Sequence, residues 1–171
     1  MDSANTMKAI RINKVVVNIG TGSEEKHAEA AKRLLELMTG MKPAEEMSKR
    51  RAPAFKITKG QVIGAFVTLR GQKAGELLKR LFDAVDDRVK DSSITQNSLS
   101  FGVKEYIDIR GIKYDPAIGM LGMNVNVSFS RKGARVRERK RKASHMPERH
   151  GIVGKDLIKD FVKKEYNVEV A

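Results

Sequence analysis

The sequence predicts an α+β domain, an antiparallel-rich sheet with helices packed on one face and the other face free to meet a partner. Three observations lead there. Apolar residues recur with period two in several short stretches and with helical period in three longer ones. These stretches follow one another as strand, helix, strand, strand, helix, strand, strand, helix, and several links are hairpin-sized, too short for parallel crossovers. The cleanest strand carries Met123, Val125, Val127 and Phe129 in alternation with Asn124, Asn126, Ser128 and Ser130, so its polar face has no charge, which is unusual for a face that meets only water. The 171 residues read as one domain without internal repeats.

The elements are justified in chain order. Ile10 to Ile19 reads as a strand in which Ile10 and Ile12 share one parity while Val15, Val17 and Ile19 share the other. The switch places a bulge or a strong twist near Asn13-Lys14. Gly20-Thr21-Gly22 breaks the strand; Thr21 with Glu24 fits a capping box, and Ser23 is a rival N-cap. The next helix sets Ala28, Ala31, Leu34, Leu35 and Met38 on one face, and Gly40 stops it with Pro43 just beyond. A short strand is expected near Ala44. Residues 48–60, SKRRAPAFKITKG, form a basic loop or a mobile hairpin, because Pro53 and Gly60 oppose a helix. Ile63, Ala65, Val67 and Leu69 alternate with Gly64, Phe66, Thr68 and Arg70, a strand with one apolar face. After Gly71 comes a helical stripe of Leu77, Leu78, Leu81, Phe82, Val85 and Val89, closed by Asp91-Ser92-Ser93. Leu99, Phe101 and Val103 open a strand running to about Ile109, followed by a turn region with Gly111, Asp115, Pro116 and Gly119. Beyond the clean strand lie a basic segment, 131–150, and a last helix with Val153, Leu157, Ile158, Phe161 and Val162 on one face.

Charge narrows the function. Lys and Arg number 34 against 21 Asp and Glu, a net charge of +13 that calls for a polyanionic partner, either nucleic acid or an anionic membrane. The excess is concentrated. Residues 48–60 hold five cations and no anion, and residues 131–150 hold nine cations against two anions, which together account for 12 of the 13 excess charges. Basicity serving only solubility would be spread over the helix faces, whereas here the helices are near neutral. Membrane binding is disfavoured: no run of about 18 apolar residues exists, and the basic segments lack the apolar face of an interfacial helix. Lys159, Lys163 and Lys164 on the last helix are offset by Asp156, Asp160 and Glu165. Without cysteine there are neither disulfides nor thiolate metal sites. The leading MDSANTMKAIRI has no apolar signal core, so a cytoplasmic address is expected.

Catalytic readings fail at specific positions. Gly20-Thr21-Gly22 follows a strand and opens a helix as a dinucleotide fingerprint would, but the third glycine is replaced by Glu25, whose carboxylate would repel a pyrophosphate. Gly154-Lys155 lacks both the opening glycine and the hydroxyl of a phosphate loop, since Arg149 and Asp156 stand there. His27, His145 and His150 have no metal-binding spacing, and no Ser has a nucleophile-elbow context. Asp86-Asp87 reads as a solvated pair. An RNA-modifying enzyme therefore has no motif behind it, and neither a catalytic group nor a cofactor is implied.

Three stretches, NKVVVNIGTG at 13–22, SKRRAPAFKITKGQVIGAFVTLRG at 48–71 and SFGVKEYIDI at 100–109, resemble the universal ribosomal protein five family of the large subunit. The resemblance runs from about Ile10 to Tyr166 and is most specific at IGAFVTLRG. The RKGARVRERKRKASH insert and the closing KKEYNVEV resemble archaeal and eukaryotic members rather than bacterial ones. It implies a non-catalytic protein of the central protuberance that binds 5S ribosomal RNA through the open face of its sheet. Further partners implied are the large-subunit ribosomal RNA, neighbouring ribosomal proteins and, through the basic loop, peptidyl-site tRNA. Carried over by matching motif, Asn18, Phe55, Thr68 and Arg70 are the 5S contacts, with Lys14 beside them. The tRNA-facing cations fall within the loop at Lys49, Arg50, Arg51, Lys56 and Lys59. Arg131, Lys132, Arg135, Arg137, Arg139, Lys140, Arg141 and Lys142 are the ribosomal RNA-binding cations of the insert.

The residue chemistry agrees. Asn18 and Thr68 can donate to and accept from 2′-hydroxyls and base edges, and Arg70 can grip a phosphate bidentately. Phe55 suits either a stacked base or the core. The 48–60 loop repels itself and is expected to be mobile when alone; the Arg-dense 131–150 segment is expected to order against ribosomal RNA. A free-standing RNA-binding regulator or chaperone is the competing reading, separated from a ribosomal component by co-sedimentation with the large subunit in high salt.

Overall fold

The computed structural model describes residues 6–170; the first five residues, part of the stretch read for a signal core, and Ala171 lie outside it. Strand β1 (Ile10–Gly20) is the centre of a five-stranded antiparallel sheet. On one side of it lie β3 (Val62–Leu69) and the edge strand β2 (Ala44–Met47); on the other lie β6 (Met123–Arg131) and the edge strand β5 (Ser98–Val103). The expected irregularity in β1 is present: its register against β6 shifts between Ile12 and Lys14. The shift lets Ile12 and Val15 both turn toward the helices despite their opposite parity.

One sheet face is apolar and covered. Val15, Val17, Ile19, Ala65, Val67, Leu69, Leu99, Val125 and Val127 are buried there. Helices α1 (Glu25–Thr39), α2 (Gln72–Asp83) and α5 (Lys155–Tyr166) supply the opposing layer through residues such as Leu34, Leu35, Leu78, Leu81, Ile158 and Val162. With no Trp, ring packing is limited to the seams: Phe82 stacks on Phe101 at 5.1 Å between centroids, and Phe129 meets Phe161 edge-on at 5.8 Å. Asp91, in the turn before β5, ties that turn to α5 through Lys155 at 2.8 Å and Lys159 at 2.6 Å. Hydrogen bonds from these two ammonium groups hold its carboxyl below the ordinary aspartate value.

Several boundaries differ from the sequence expectation, each for a local reason. Neither Thr21 nor Ser23 caps α1: Glu24 precedes its first residue and no side chain bonds the exposed N–H groups. The Thr21 amide instead extends the sheet by donating to the Ile63 carbonyl at 2.9 Å. Gly40 does end the helix, in the left-handed conformation expected of a C-cap glycine. Helix α2 stops at Asp83, because Asp86 and Asp87 adopt φ of 54°. Val89 still reaches the core, but from a two-residue strand, β4 (Arg88–Val89), which pairs in parallel with β7 (Glu169–Val170). Strand β5 ends at Val103 rather than near Ile109, and buried Tyr106 pins the following loop by accepting the Asp115 amide at 3.0 Å. Leu157 points away from the core and is exposed.

Candidate nucleic-acid interface

The uncovered sheet face is assembled by register. Asn18 of β1 lies opposite Phe66 of β3 and Asn124 of β6, and Asn124 lies opposite Gly102 of β5. In the next row Val16 is flanked by Thr68 and Asn126, with Ser100 beyond. The centre of this face carries no charge. It presents amides and hydroxyls, groups that both donate and accept hydrogen bonds. The Asn18 Oδ1 is buried and has no hydrogen-bond partner, an unsatisfied acceptor beneath the middle of the face. Gly64 lies directly opposite Gly20, and a Cβ on Gly64 would come within 2.5 Å of the Ile19 carbonyl oxygen, so that spot stays bare.

Cations gather at the two ends. Lys14 lies opposite Ser128, and Arg70 follows β3 at the same end of the sheet, exposed, with one long contact to Asn13 Oδ1 at 3.5 Å. Of the expected 5S contacts, Lys14, Asn18, Thr68 and Arg70 therefore share one face. Phe55 does not join them. It is 72% exposed in the loop between β2 and β3, which removes the core alternative and sets it among the loop cations.

The basic segments project from opposite ends of β1. Residues 48–60 form a hairpin tip at the Gly20 end. Its base is closed by Ser48 and Gln61, and its tip by an Ala52–Ile57 bridge and a turn through Lys56 at φ 55°. The Gln61 amide also donates to the Ser23 carbonyl at 3.0 Å, fixing the hairpin base to the turn before α1. Lys49, Arg50, Arg51, Lys56 and Lys59 are all exposed. The 131–150 segment leaves β6 at the Ile10 end. It contains two short helical turns, α3 (Arg135–Glu138) and α4 (Glu148–Gly151). Asn97 clasps its far end, donating to the Gly151 carbonyl and accepting from the Val153 amide. Arg131 is partly buried and donates to the Val153 carbonyl at 3.4 Å, whereas Lys132, Arg135, Arg137, Arg139, Lys140, Arg141 and Lys142 are exposed. An eleven-residue β1 separates the two segments by on the order of 30 Å.

Ion pairing sorts the charges. Among the described residues the pairs lie on the scaffold, as in Lys32–Glu45, Arg110–Asp83 and Asp91 with Lys155 and Lys159, and none involves a cation of either basic segment. The scaffold neutralises itself while the two segments keep their charge for something else. Among the same residues no cluster of His, Asp or Glu is placed to hold a metal ion, and no helix is long and apolar enough to cross a membrane.

Sequence reasoning noticed the uncharged alternation of Asn124 and Asn126 but did not assign them to the site; their register beside Asn18 does. It also passed over Arg88 and Lys90, which flank the β5 edge only because the chain leaves α2 early.

An α+β protein with one uncovered sheet face, polar and uncharged at its centre, between two unpaired cationic segments is of the class built to lie on a structured polyanion. The family described as ribosomal protein L5 matches residues 5–57, and the model describing the C-terminus of that same ribosomal family matches residues 62–150. The large ribosomal subunit protein uL5 of Sulfurisphaera tokodaii is 41% identical over 98% of this chain and 96% of its own. The uL5 proteins of Aeropyrum pernix, 44% identical over 89% of this chain and 80% of theirs, and of Nanoarchaeum equitans, 41% identical over 96% and 97%, are similar to the same extent. The chain belongs to the uL5 family of large ribosomal subunit proteins. It is a structural constituent of that subunit rather than an enzyme, and its place is the ribosome, in the cytoplasm.

Proposed function

We propose that the whole chain acts as one RNA-binding unit that holds 5S ribosomal RNA against its open sheet face in the central protuberance. In this reading Lys14, Asn18, Thr68 and Arg70 meet the 5S RNA, and the exposed cations from Lys132 to Lys142 grip the large-subunit ribosomal RNA. The 48–60 hairpin, with Phe55 at its tip, reaches the tRNA in the peptidyl site. The observation that carries the reading is the contrast between a self-neutralised scaffold and the unpaired cations bracketing a polar face that is uncharged at its centre.

Binding to 5S ribosomal RNA is expected to weaken steeply with salt. If roughly five phosphates are neutralised, log K falls against log salt with a slope on the order of −4, less where the contacted RNA is single-stranded. Filter binding across a salt series measures it, and a flat response would sink the electrostatic account.

A further inference from the structure

The open face continues past its edge strand. Between β5 and the chain leaving α2 lies a groove of about 590 Å³. Asn18, Asn124 and Asn126 line it from the sheet, and Arg88 and Lys90 line it from beyond the edge. No carboxylate lines it. Among the described residues Glu169 is the one acid paired with Arg88, at 4.0 Å with both side chains at least 75% exposed, a pair too solvated to hold the guanidinium in place. Lys90 is in no ion pair among the described residues. Opposite Asn124 the strand carries Gly102, so no side chain fills the space between the amides and the cations.

Each part of the lining suits one part of a nucleotide. The exposed amides of Asn124 and Asn126 can read donor and acceptor edges, and beside them Asn18 has a buried Oδ1 with no partner. The two cations stand where a phosphate would neutralise them. The volume lies within the roughly 300–1,000 Å³ range of sites for single small groups, too small for a duplex. Base edges are free for such reading where RNA is unpaired. We infer that this groove takes one unpaired nucleotide of the bound ribosomal RNA, its base edge on Asn18, Asn124 and Asn126 and a phosphate on Arg88 and Lys90. The inference rests on the proposal that the open face binds 5S ribosomal RNA.

The test uses the full chain and 5S ribosomal RNA. The double variant Arg88→Gln/Lys90→Gln is expected to bind about tenfold more weakly at moderate salt, with a slope shallower by about 0.7 for the one phosphate released. Asn126→Ala is expected to lose a similar factor with the slope unchanged. In ribose acylation, one unpaired nucleotide protected by the parent protein should become reactive again with Asn126→Ala. All three side chains are exposed, so melting temperatures should match the parent. Free nucleoside monophosphates share the chemistry and should displace the RNA only at millimolar concentrations; displacement at micromolar levels would make a free nucleotide the occupant and overturn the inference. So would unchanged affinity and slope in the double variant, or no nucleotide regaining reactivity. If the parent protein fails to bind 5S ribosomal RNA at all, the underlying proposal falls instead.

Discussion

Replacing Asn18 or Arg70 with alanine is expected to weaken 5S ribosomal RNA binding by about 1–3 kcal/mol each, roughly 5- to 150-fold, while leaving the fold nearly as stable. The asymmetry follows from what each side chain does in the free protein. The Asn18 Oδ1 bonds nothing, and the Arg70 guanidinium makes one long contact from an exposed position. Their removal costs the fold little: Asn18→Ala removes a buried acceptor that bonds nothing, and substitutions at an exposed site such as Arg70 usually stay within about 0.5 kcal/mol. An RNA that fills those capacities would lose a hydrogen bond in one case and a phosphate grip in the other. Filter binding and thermal melts read together separate the two effects, and undiminished affinity in both variants would exclude these residues from the site.

The two cationic segments are expected to fail differently when neutralised. Changing Lys49, Arg50 and Arg51 to alanine should leave 5S binding nearly intact and impair retention of peptidyl-site tRNA. Changing Arg135, Arg137, Arg139 and Arg141 should instead impair incorporation into the large subunit. The structure supplies a reason for the division, because the segments leave opposite ends of β1, on the order of 30 Å apart. The hairpin suits a partner that arrives and leaves: it is held at its base by Gln61 and otherwise exposed. Arginine is the better residue for lasting bidentate phosphate contacts, and it dominates the second segment. Subunit profiles from cells carrying each variant, with tRNA binding to the purified ribosomes, measure both effects. Equal loss of 5S binding from the two sets would abolish the division.

Strand alternation carried most of the architecture. The parity switch in β1 located the register shift between Ile12 and Lys14, and the alternation in β6 separated the covered face from the uncovered one. Lys14, Asn18, Thr68 and Arg70 were singled out by matching motif, and the strand register sets them on one face. What stayed illegible depends on non-local contacts. Val85 and Val89 keep helical spacing with Leu81, yet left-handed Asp86 and Asp87 end the helix and a strand delivers Val89 to the core. The β4–β7 pairing joins segments about eighty residues apart and leaves no local pattern. Arg88 and Lys90 reach the sheet edge only through that detour, and no spacing rule links them to Asn124. Phe55 had two chemically sensible environments, and only its exposure distinguishes them. Leu157 and Ile158 both fit an apolar stripe, but the helix rotation buries the second alone.

The central claim is that the open sheet face recognises 5S ribosomal RNA in particular, beyond the attraction of a basic protein for any polyanion. Competition measures this directly. The chain is mixed with labelled 5S ribosomal RNA and an excess of an unrelated structured RNA of similar length, at a salt concentration where phosphate attraction is partly screened. The account predicts that the 5S complex survives a large excess of competitor, and that Asn18→Ala lowers this preference more than it lowers binding to the competitor. Displacement in simple proportion to competitor concentration, with Asn18→Ala indistinguishable from the parent, would contradict it.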